Sequence, residues 1–462
     1  MLRRVLFLSV SARSQVPTWF WMSLVAWHLL FFGVQVHQHT YFFPDTDRYL
    51  TEATNIRESG EFYARPLLAT GKKSPQEYTI RPPGYPLFLL AMDTPSARFP
   101  FVALVVQNLL SLLNMVLLAR WLQRFRLLPA QWVFLLLGVC TYPAQLIYAN
   151  VLMSEMLLQT CVVLLWLSAV AAWETQQMRY LLAVAATATA AMLVKPVFYP
   201  FSIVVLLLGC WVAWRWRRLP VAVVAALPLV VALLYQGWNY QRTGLFHFSS
   251  IATINLLHYN TEGVLRRTEG AIVADQFIDM VEAEAHRQYA TFAQQQQHVR
   301  ARSLAALWKY PVTYARIHVT GMVNCFLDPG RFDLVHFFKL PGQQGRGLLG
   351  QYTAYGYKGI VRYVWRLPLG LLSALLLVAI GNVVRLLAFG FFLFQKQYPL
   401  FVRLSIAGIL LYVAFLTGPL GAARFAVPVF PLLVVGATLG SRKLLLRLLS
   451  TTHLVPKVVG TK

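Results

Sequence analysis

The sequence PTWFWMSLVAWHLLFFGVQV, residues 17–36, is the first long apolar run of this chain, and the polar sequence FFPDTDRYLTEA, residues 42–53, follows it closely. A helix of about 20 apolar residues crosses the hydrocarbon core of a bilayer. Asp45 and Asp47 are charged at neutral pH and are excluded from lipid, so they must face water or a partner. The two stretches therefore predict a membrane-spanning helix that ends at a surface with two carboxylates.

The composition of the whole chain also indicates a membrane protein. Of its 462 residues, 58% are hydrophobic and 13% are charged, and the mean hydropathy is +0.55. Such values lie outside the range of soluble globular proteins. Lys and Arg outnumber Asp and Glu by 41 to 17. Nucleic-acid-binding proteins show such an excess, but so do the cytoplasmic loops of membrane proteins, and the apolar content favours the membrane. The four cysteines show no CxxC spacing and are expected to be packing residues.

Apolar runs of span length recur along the chain. They lie at about 17–36, 100–119, 129–148, 152–172, 180–195, 197–213, 220–238, 367–388, 401–419 and 425–441. We therefore expect an all-α polytopic membrane protein with about ten transmembrane helices. Two polar segments interrupt the series, at 37–98 and 239–366. Helices two to seven then occupy 99–238, and helices eight to ten occupy 367–441.

Basic residues cluster before or after five of the predicted spans. The clusters are Arg3, Arg4 and Arg13; Arg120, Arg124 and Arg126; Arg215, Arg217 and Arg218; Lys396 and Arg403; and Arg442, Lys443, Arg447 and Lys457. With ten spans, every cluster falls on one side, which the positive-inside rule makes the cytoplasm. Residues 1–16 are then a cytoplasmic stub, 442–462 form a basic cytoplasmic tail, and both polar segments face outward.

Both polar segments are expected to contain helices. Residues 45–65 place apolar side chains at the spacing of an amphipathic helix lying at the membrane interface. Residues 261–310 have helical periodicity with acids early and bases late, which predicts one or two soluble or interfacial helices.

Two groups of acids are candidates for function. The Asp45-Thr46-Asp47 spacing is a weak signal by itself, because Asp45 and Thr46 can equally cap a helix that begins near Asp47. Glu155 lies inside an apolar run, where a carboxylate is costly and marks a functional candidate. The alternative for Glu155 is a side chain at a helix end that reaches water.

Several segments, in order along the chain, resemble the GT-C membrane glycosyltransferases. Within that superfamily they are most similar to the branch of dolichyl-phosphate-mannose protein mannosyltransferases and aminoarabinose transferases. The segments are PDTDRYLTEATNIRESGEFYA (44–64), TIRPPGYPLFLLA (79–91), YPAQLIYANVLMSEMLL (142–158), AAMLVKPVFYPF (190–201), YQGWNYQRTGLFHFSS (235–250) and GPLGAARFAVPVFPLLVVGA (418–437). The chain departs from the family where Thr46 follows Asp45 in place of Glu, and where Trp238 precedes Asn239 in place of Arg.

The resemblance implies transfer of a sugar from a polyprenyl-phosphate-linked donor to a lipid, glycan or protein acceptor on the outer face. A lipid-borne phosphate needs fixed cations at headgroup level, and the expected ones are Arg81, Lys195, Arg242 and Arg424. Each of these can alternatively be a side chain that reaches the interface.

Asp45 is expected to be the general base of an inverting reaction, with Asp47 and Glu155 as supporting carboxylates. Asp45 and Asp47 are also the candidate ligands for Mg or Mn, although arginines that neutralise a single phosphate would make a metal unnecessary. Candidate sugar-binding residues are Tyr49, Tyr85, Tyr148, Asn239 and Tyr259. The alternative for the tyrosines is an interfacial aromatic belt.

Three other functions compete with this interpretation. A glycan polymerase or ligase with a pyrophosphate-linked donor would have more basic residues in the outer segments. A secondary transporter would have charges at the bilayer midplane and related halves, which this sequence lacks. A scaffold protein would not need Asp45. The segments between the predicted spans are compact, which favours a bacterial inner membrane with a periplasmic active site.

Overall fold

The computed structural model describes residues 15–67, 73–340, 357–358 and 361–451, and the regular elements in these ranges are helical. Residues 1–14 of the predicted N-terminal stub and 452–462 of the predicted C-terminal tail, which include Arg3, Arg4, Arg13 and Lys457, lie outside the described residues. The first helices are α1 (Thr18–Gln38), α2 (Thr46–Ser59), α3 (Gly84–Ala91), α4 (Phe101–Leu122), α5 (Pro129–Cys140), α6 (Pro143–Ala149), α7 (Glu155–Thr175), α8 (Met178–Val194), α9 (Phe201–Trp216) and α10 (Leu219–Thr243).

The second half of the chain begins with a helical polar segment. Its elements are α11 (Ile251–Asn255), a π-helical turn (Leu256–Thr261), α12 (Glu262–Thr268), α13 (Ala271–Gln288), α14 (Phe292–Lys309), α15 (Pro311–Leu327) and α16 (Arg331–Phe337). The final helices are α17 (Leu369–Phe394), α18 (Leu400–Thr417), α19 (Ala423–Ala426), α20 (Phe430–Gly440) and α21 (Arg442–Thr451). Short 3-10 turns lie at Pro75–Tyr78, Thr94–Ser96, Gln123–Phe125, Pro196–Phe198 and Gly418–Leu420.

The expected all-α membrane fold is confirmed. Seven of the described helices are long and apolar enough to cross a bilayer, and the bent pair α5–α6 would make an eighth. The predicted spans at 180–195 and 425–441 correspond to α8, which has 17 residues, and α20, which has 11. Both are shorter than the roughly 20 residues of a complete span, so length and composition do not establish the predicted count of ten.

Large apolar side chains are exposed along the span-length helices. Examples are Leu207 on α9, Leu234 on α10 and Leu377 on α17. A soluble protein would not expose apolar surface along so many helices, whereas lipid requires it. The chain is an integral membrane protein.

The α5–α6 break is held by a buried guanidinium. Pro143 has no N–H to donate, and the axes of the two helices differ by 60°. Arg385, in the middle of α17, donates from Nη1 to the Gly138 carbonyl (2.8 Å) and from Nη2 to the Thr141 carbonyl (3.3 Å). The arginine therefore satisfies carbonyls at the break, where no water is available in a bilayer.

Basic residues meet at one end of the helix bundle. Arg442 donates to the carbonyl of Phe125 (3.4 Å), and Arg218 donates to the carbonyl of Gln176 (3.2 Å). Gln176 follows directly on α7, a helix of 21 residues and hence about 30 Å long. Glu155, the first residue of α7, therefore lies at the opposite end of the bundle from these arginines.

The two polar segments pack against each other. Thr79 Oγ1 lies 2.8 Å from His247 Nε2, and Ser249 Oγ donates to the Ile80 carbonyl at 3.1 Å. Helices α13 and α14 form a hairpin over a small apolar core made of Leu257, Ile278, Val281, Ala285 and Val299. The helices expected in 261–310 are thus present, and they are anchored to the first polar segment.

Candidate active site

Asp45 stands at the start of α2 but does not cap it. It is the residue before the first helical residue, yet its carboxylate accepts no hydrogen bond from the helix backbone. Thr46 is fully buried, and its hydroxyl accepts from the Phe43 amide at 2.9 Å and donates to the Leu152 carbonyl at 3.0 Å. The Asp45 carboxylate is therefore free to point at cations from other parts of the chain.

Arg81 is placed by the Thr-Ile-Arg-Pro-Pro-Gly turn. Its Nη2 donates to Asp45 Oδ1 at 2.6 Å, and its guanidinium lies over the Tyr49 ring, 5.2 Å from the centroid. The turn leads into α3 at Gly84, where a Cβ would come within 2.7 Å of the Leu193 carbonyl oxygen. Only glycine allows α3 to approach the end of α8 this closely, and this approach positions Arg81.

Arg424 reaches the same carboxylate from the other end of the chain. Its Nη2 donates to Asp45 Oδ2 at 2.6 Å, so both oxygens of Asp45 are bonded to guanidinium groups. The backbone amide and carbonyl of the preceding residue, Ala423, are both hydrogen-bonded to side chains. Its amide donates to Asp328 Oδ2 at 2.9 Å, and its carbonyl accepts from the Tyr142 hydroxyl at 2.7 Å.

Glu155 and Lys195 form a second ion pair beside the first. Lys195 Nζ lies 2.6 Å from Glu155 Oε1, and the Nε of Arg424 is 3.4 Å from the same oxygen. Lys195 ends α8 in an extended conformation because Pro196 follows it. Glu155 is fully buried, and its Oε2 has no hydrogen-bond partner among the described residues.

These five residues form what we call the charged cluster: Asp45, Arg81, Glu155, Lys195 and Arg424. Three cations face two carboxylates, so the cluster carries one excess positive charge. Burial by itself would raise the pKa of Asp45, but the guanidiniums of Arg81 and Arg424 hold that pKa well below its usual range. The cluster is a largely buried set of fixed cations at one end of the helix bundle.

The aromatic candidates are placed differently from one another. Tyr49 is buried beneath Arg81, with its hydroxyl 3.2 Å from Ser154 Oγ. Tyr85 is also buried and donates to Gln107 at 2.8 Å. Tyr259 is exposed on the π-helical turn. Tyr49 therefore borders the charged cluster, whereas Tyr259 lies in the second polar segment.

Asp47 faces away from Asp45. Two residues of a helix are about 200° apart around its axis, and Asp47 lines a separate cavity with Thr51, Thr54 and Glu58. Both Asp45 oxygens are bonded to arginines. As arranged, the two aspartates do not present a joint ligand set for a divalent cation, and within the described residues no cluster of three or more candidate ligands occurs.

Arg242 and Asn239 lie in a neighbouring polar group. Asn239 accepts a hydrogen bond from Arg242, whose guanidinium lies over Trp238 at 3.5 Å from the ring centroid. Burial raises the pKa of Glu52 well above its usual range, against the opposing charges of Arg242 and Arg81. Arg242 thus lies near Glu52, and among the described residues it bonds to neither carboxylate of the charged cluster.

The sequence FLDPGRFD, residues 326–333, supplies two acids that the sequence analysis did not single out. Asp328 fixes the backbone before Arg424, and Asp333 accepts from the Tyr148 hydroxyl at 3.0 Å. Burial raises the pKa of Asp333 to about 7, although the Tyr148 hydrogen bond lowers it. The sequence signal that could have identified these two acids is their position on either side of a Pro-Gly turn.

No protein-family model and no curated protein matches this chain. Solved structures to which it is similar include ArnT from Cupriavidus metallidurans bound to undecaprenyl phosphate, at 14% identity and a TM-score of 0.40. That match covers 95% of this chain and 81% of ArnT. A second is the oligosaccharyltransferase AglB from Archaeoglobus fulgidus, in complex with an inhibitory peptide and a dolichol-phosphate, at 12% identity and a TM-score of 0.36. It covers 96% of this chain and 52% of AglB.

Proposed function

We propose that this chain is an integral-membrane glycosyltransferase that moves a sugar from a polyprenyl-phosphate-linked donor to an acceptor at the membrane surface. The charged cluster is the observation that carries the proposal. It joins residues from five distant parts of the sequence, and Glu155 and Lys195 lie at the ends of the apolar helices α7 and α8. A donor with an apolar tail and an anionic headgroup needs such an arrangement.

The charge of the cluster suits a single phosphate. A phosphodiester has one negative charge, which would neutralise the one excess positive charge of the three cations and two carboxylates. Guanidinium groups bind phosphate oxygens in pairs, so Arg81 and Arg424 are the proposed phosphate ligands, with Lys195 beside them. A pyrophosphate would leave the cluster with uncompensated negative charge, which disfavours a pyrophosphate-linked donor.

The proposed reaction forms a bond between the acceptor oxygen or nitrogen and the anomeric carbon. The bond from that carbon to the phosphate oxygen breaks, and its electron pair stays on the departing phosphate. The acceptor proton passes to Asp45, on the face opposite the phosphate, and the anomeric centre inverts. Glu155 holds Lys195 and Arg424 in place.

Donor binding would activate the base. While both its oxygens are bonded to guanidiniums, Asp45 has a depressed pKa and accepts protons poorly. A phosphate that draws Arg81 or Arg424 away weakens these ion pairs and raises the pKa of Asp45. The acceptor is then deprotonated only where a donor is already bound.

We further propose that the site faces the periplasm of a bacterial inner membrane and that both termini are cytoplasmic. The position of Arg218 and Arg442 at the opposite end of the bundle supports this orientation. Charges at one end of the bundle also suit a transferase better than a transporter, which holds its charges near the midplane.

The proposal is tested by mass spectrometry of lipid extracts from cells that lack the protein or carry wild type, Asp45→Asn or Asp279→Asn. Asp279 is exposed on α13, so its variant is a matched control. We expect a polyprenyl-phosphate sugar to accumulate without the protein and in the Asp45→Asn cells, but not in the other two strains. Identical lipid profiles in all four strains, with Asp45→Asn present at the wild-type level, would contradict the proposal.

A further inference from the structure

A cavity of about 420 Å³ lies between the two polar segments. One wall is the first polar segment at Gln76, and the others are the π-helical turn and helices α13 and α14. Its volume falls in the range of small-molecule sites, roughly 300–1,000 Å³. The cavity is separate from the charged cluster.

The lining of the cavity has the chemistry of a carbohydrate site. Gln76, Gln295 and Gln296 contribute amide side chains, which both donate and accept hydrogen bonds as sugar hydroxyls require. Gln296 Oε1 is shielded from solvent and has no hydrogen-bond partner among the described residues. The ring of Phe292 adds an apolar wall against which a sugar face can pack.

The charged residues of the lining do not favour a strongly charged ligand. His258 lies 2.9 Å from Glu282, and Lys73 lies 2.6 Å from Glu61. Because these side chains already have partners, the polar groups left for a ligand are mainly the amides, the hydroxyls of Ser74 and Thr253, and His286. An uncharged, hydroxyl-rich molecule fits this set better than a phosphate or an acidic peptide.

A short path of contacts joins the cavity to the charged cluster. The Phe292 ring lies 6.0 Å from the His247 ring, and His247 Nε2 lies 2.8 Å from Thr79 Oγ1. Thr79 is two residues before Arg81, which binds Asp45. Gln76 in the cavity wall is only five residues from Arg81, at most about 17 Å of extended chain. The cavity wall and Arg81 are therefore separated by no more than the length of a few sugar rings.

We infer that this cavity binds the non-reacting part of the acceptor and that the acceptor is an oligosaccharide. The inference rests on the proposed function, since it assigns the acceptor of the same reaction. It gives α13 and α14, which lie outside the membrane-spanning helices, a role in acceptor selection.

The test uses the full-length protein in lipid nanodiscs as wild type and as the variants Ala290→Trp, Gln296→Ala and Ala301→Trp. Ala290 is exposed and lines the cavity, so a tryptophan there fills it without disturbing a core. Ala301 is exposed on α14 outside the cavity and is the matched control. The probe is a pool of fluorescently labelled short oligosaccharides released from the host cell envelope, and its retention by each variant is measured.

We expect wild type and Ala301→Trp to retain the labelled oligosaccharides, Gln296→Ala to retain fewer, and Ala290→Trp to lose about ten-fold or more. Equal retention by wild type and Ala290→Trp, or no retention by wild type, would overturn the inference. Retention of a tryptic peptide pool in place of the sugars would overturn the ligand class.

Polyprenyl phosphate binding, measured on the same samples by native mass spectrometry, separates the two proposals. Binding by Ala290→Trp at the wild-type level shows that the variant is folded and that its loss concerns the acceptor alone. Absence of lipid phosphate binding by wild type would contradict the proposed function, whatever the oligosaccharides do.

Discussion

At the scale of single residues, the charged groups of the site are paired with one another. Asp45 is held by two arginines, and Glu155 is fully buried against Lys195. Removing one member of such a buried pair costs about 3–5 kcal/mol, because the other charge is left without a partner. Loss of activity in a variant of this cluster must therefore be read together with a measure of its folding.

Asp333 gives a pH-dependent prediction. Its carboxyl ionises near 3.8 in the unfolded chain and near 7 in the folded protein, so between these pH values the folded state holds the extra proton. The free energy of unfolding then falls as the pH rises, by up to about 1.4 kcal/mol per pH unit, and levels off above 7. Asp333→Asn stays neutral, so we expect its stability relative to wild type to increase from pH 4 to pH 7.

Thermal unfolding of the purified protein in detergent, followed across this pH range, measures the effect. Asp279→Asn, at an exposed position, is the control and should follow wild type. If the unfolding temperatures of wild type and Asp333→Asn changed with pH in parallel, the predicted rise in the pKa of Asp333 on folding would be wrong.

At this scale, the five residues of the charged cluster were all among the candidates that the sequence singled out, together with Asp47 and Arg242, but the sequence did not show which candidates meet. Arg81, Lys195 and Arg424 each precede a turn or a proline, and their placement at helix ends follows from that. That both Asp45 oxygens are bonded to guanidiniums could not be predicted, because Asp45 and Arg424 are separated by 379 residues. The different surroundings of Asp45 and Asp47 were not predicted either, because the sequence analysis treated the two aspartates as a possible joint ligand set.

At the scale of elements, short helices place the site. α19 has only four residues, and it is held by Asp328 and Tyr142 on either side of Ala423. A Cβ on Gly321 would clash with the Gly418 carbonyl, and a Cβ on Gly421 would clash with the Gly321 carbonyl, so these glycines bring α15 against the loop before α19. Arg424 is therefore fixed by tertiary contacts and not by its own helix.

Tyr142→Phe tests this positioning. The Tyr142 ring stacks on Phe430 at 4.2 Å and keeps that contact as phenylalanine, so only the hydrogen bond to Ala423 is lost. We expect a loss of about 1 kcal/mol in stability and a several-fold weaker binding of polyprenyl phosphate. Native mass spectrometry and thermal unfolding measure the two effects. Tyr240→Phe, at an exposed tyrosine, is the control. Unchanged lipid phosphate binding in Tyr142→Phe would mean that Arg424 is held without this bond.

The elements also show where hydropathy is insufficient as a guide. Apolar runs at 129–148 and 180–195 were predicted as complete spans, but the first breaks before Pro143 and the second is 17 residues long. Here Arg385, which is distant in sequence, donates hydrogen bonds to carbonyls at the bend. A run of apolar residues does not reveal a bend that is stabilised in this way. The break could have been suspected from Pro143 alone.

At the scale of the whole molecule, charge is divided between two ends. The charged cluster lies at one end of α7 and the arginines near Gln176 at the other, about 30 Å apart. The sequence predicted this division well, because the positive-inside rule needs only the order of spans and loops. It could not predict the packing of the two polar segments, which depends on side-chain hydrogen bonds such as those of Ser249 and Thr79.

Cysteine labelling tests the orientation of the two ends. In a variant without the four native cysteines, Glu58→Cys and Arg217→Cys each place one exposed thiol at opposite ends of the molecule. With a membrane-impermeant maleimide on intact spheroplasts, we expect labelling at position 58 and none at 217 until the cells are opened. Labelling of 217 but not 58 in intact spheroplasts would reverse the proposed topology.

The double use of Arg81 and Arg424 has a kinetic consequence. The same guanidiniums that would bind the donor phosphate are bonded to both oxygens of Asp45, and they lower the pKa of this proposed base. In the proposed mechanism, an acceptor that arrived first would bind in its own cavity but would not react until a donor phosphate had drawn an arginine away from Asp45. After transfer, the polyprenyl phosphate product would still be bound to both arginines and would compete with the next donor. Its release would then be the rate-limiting step.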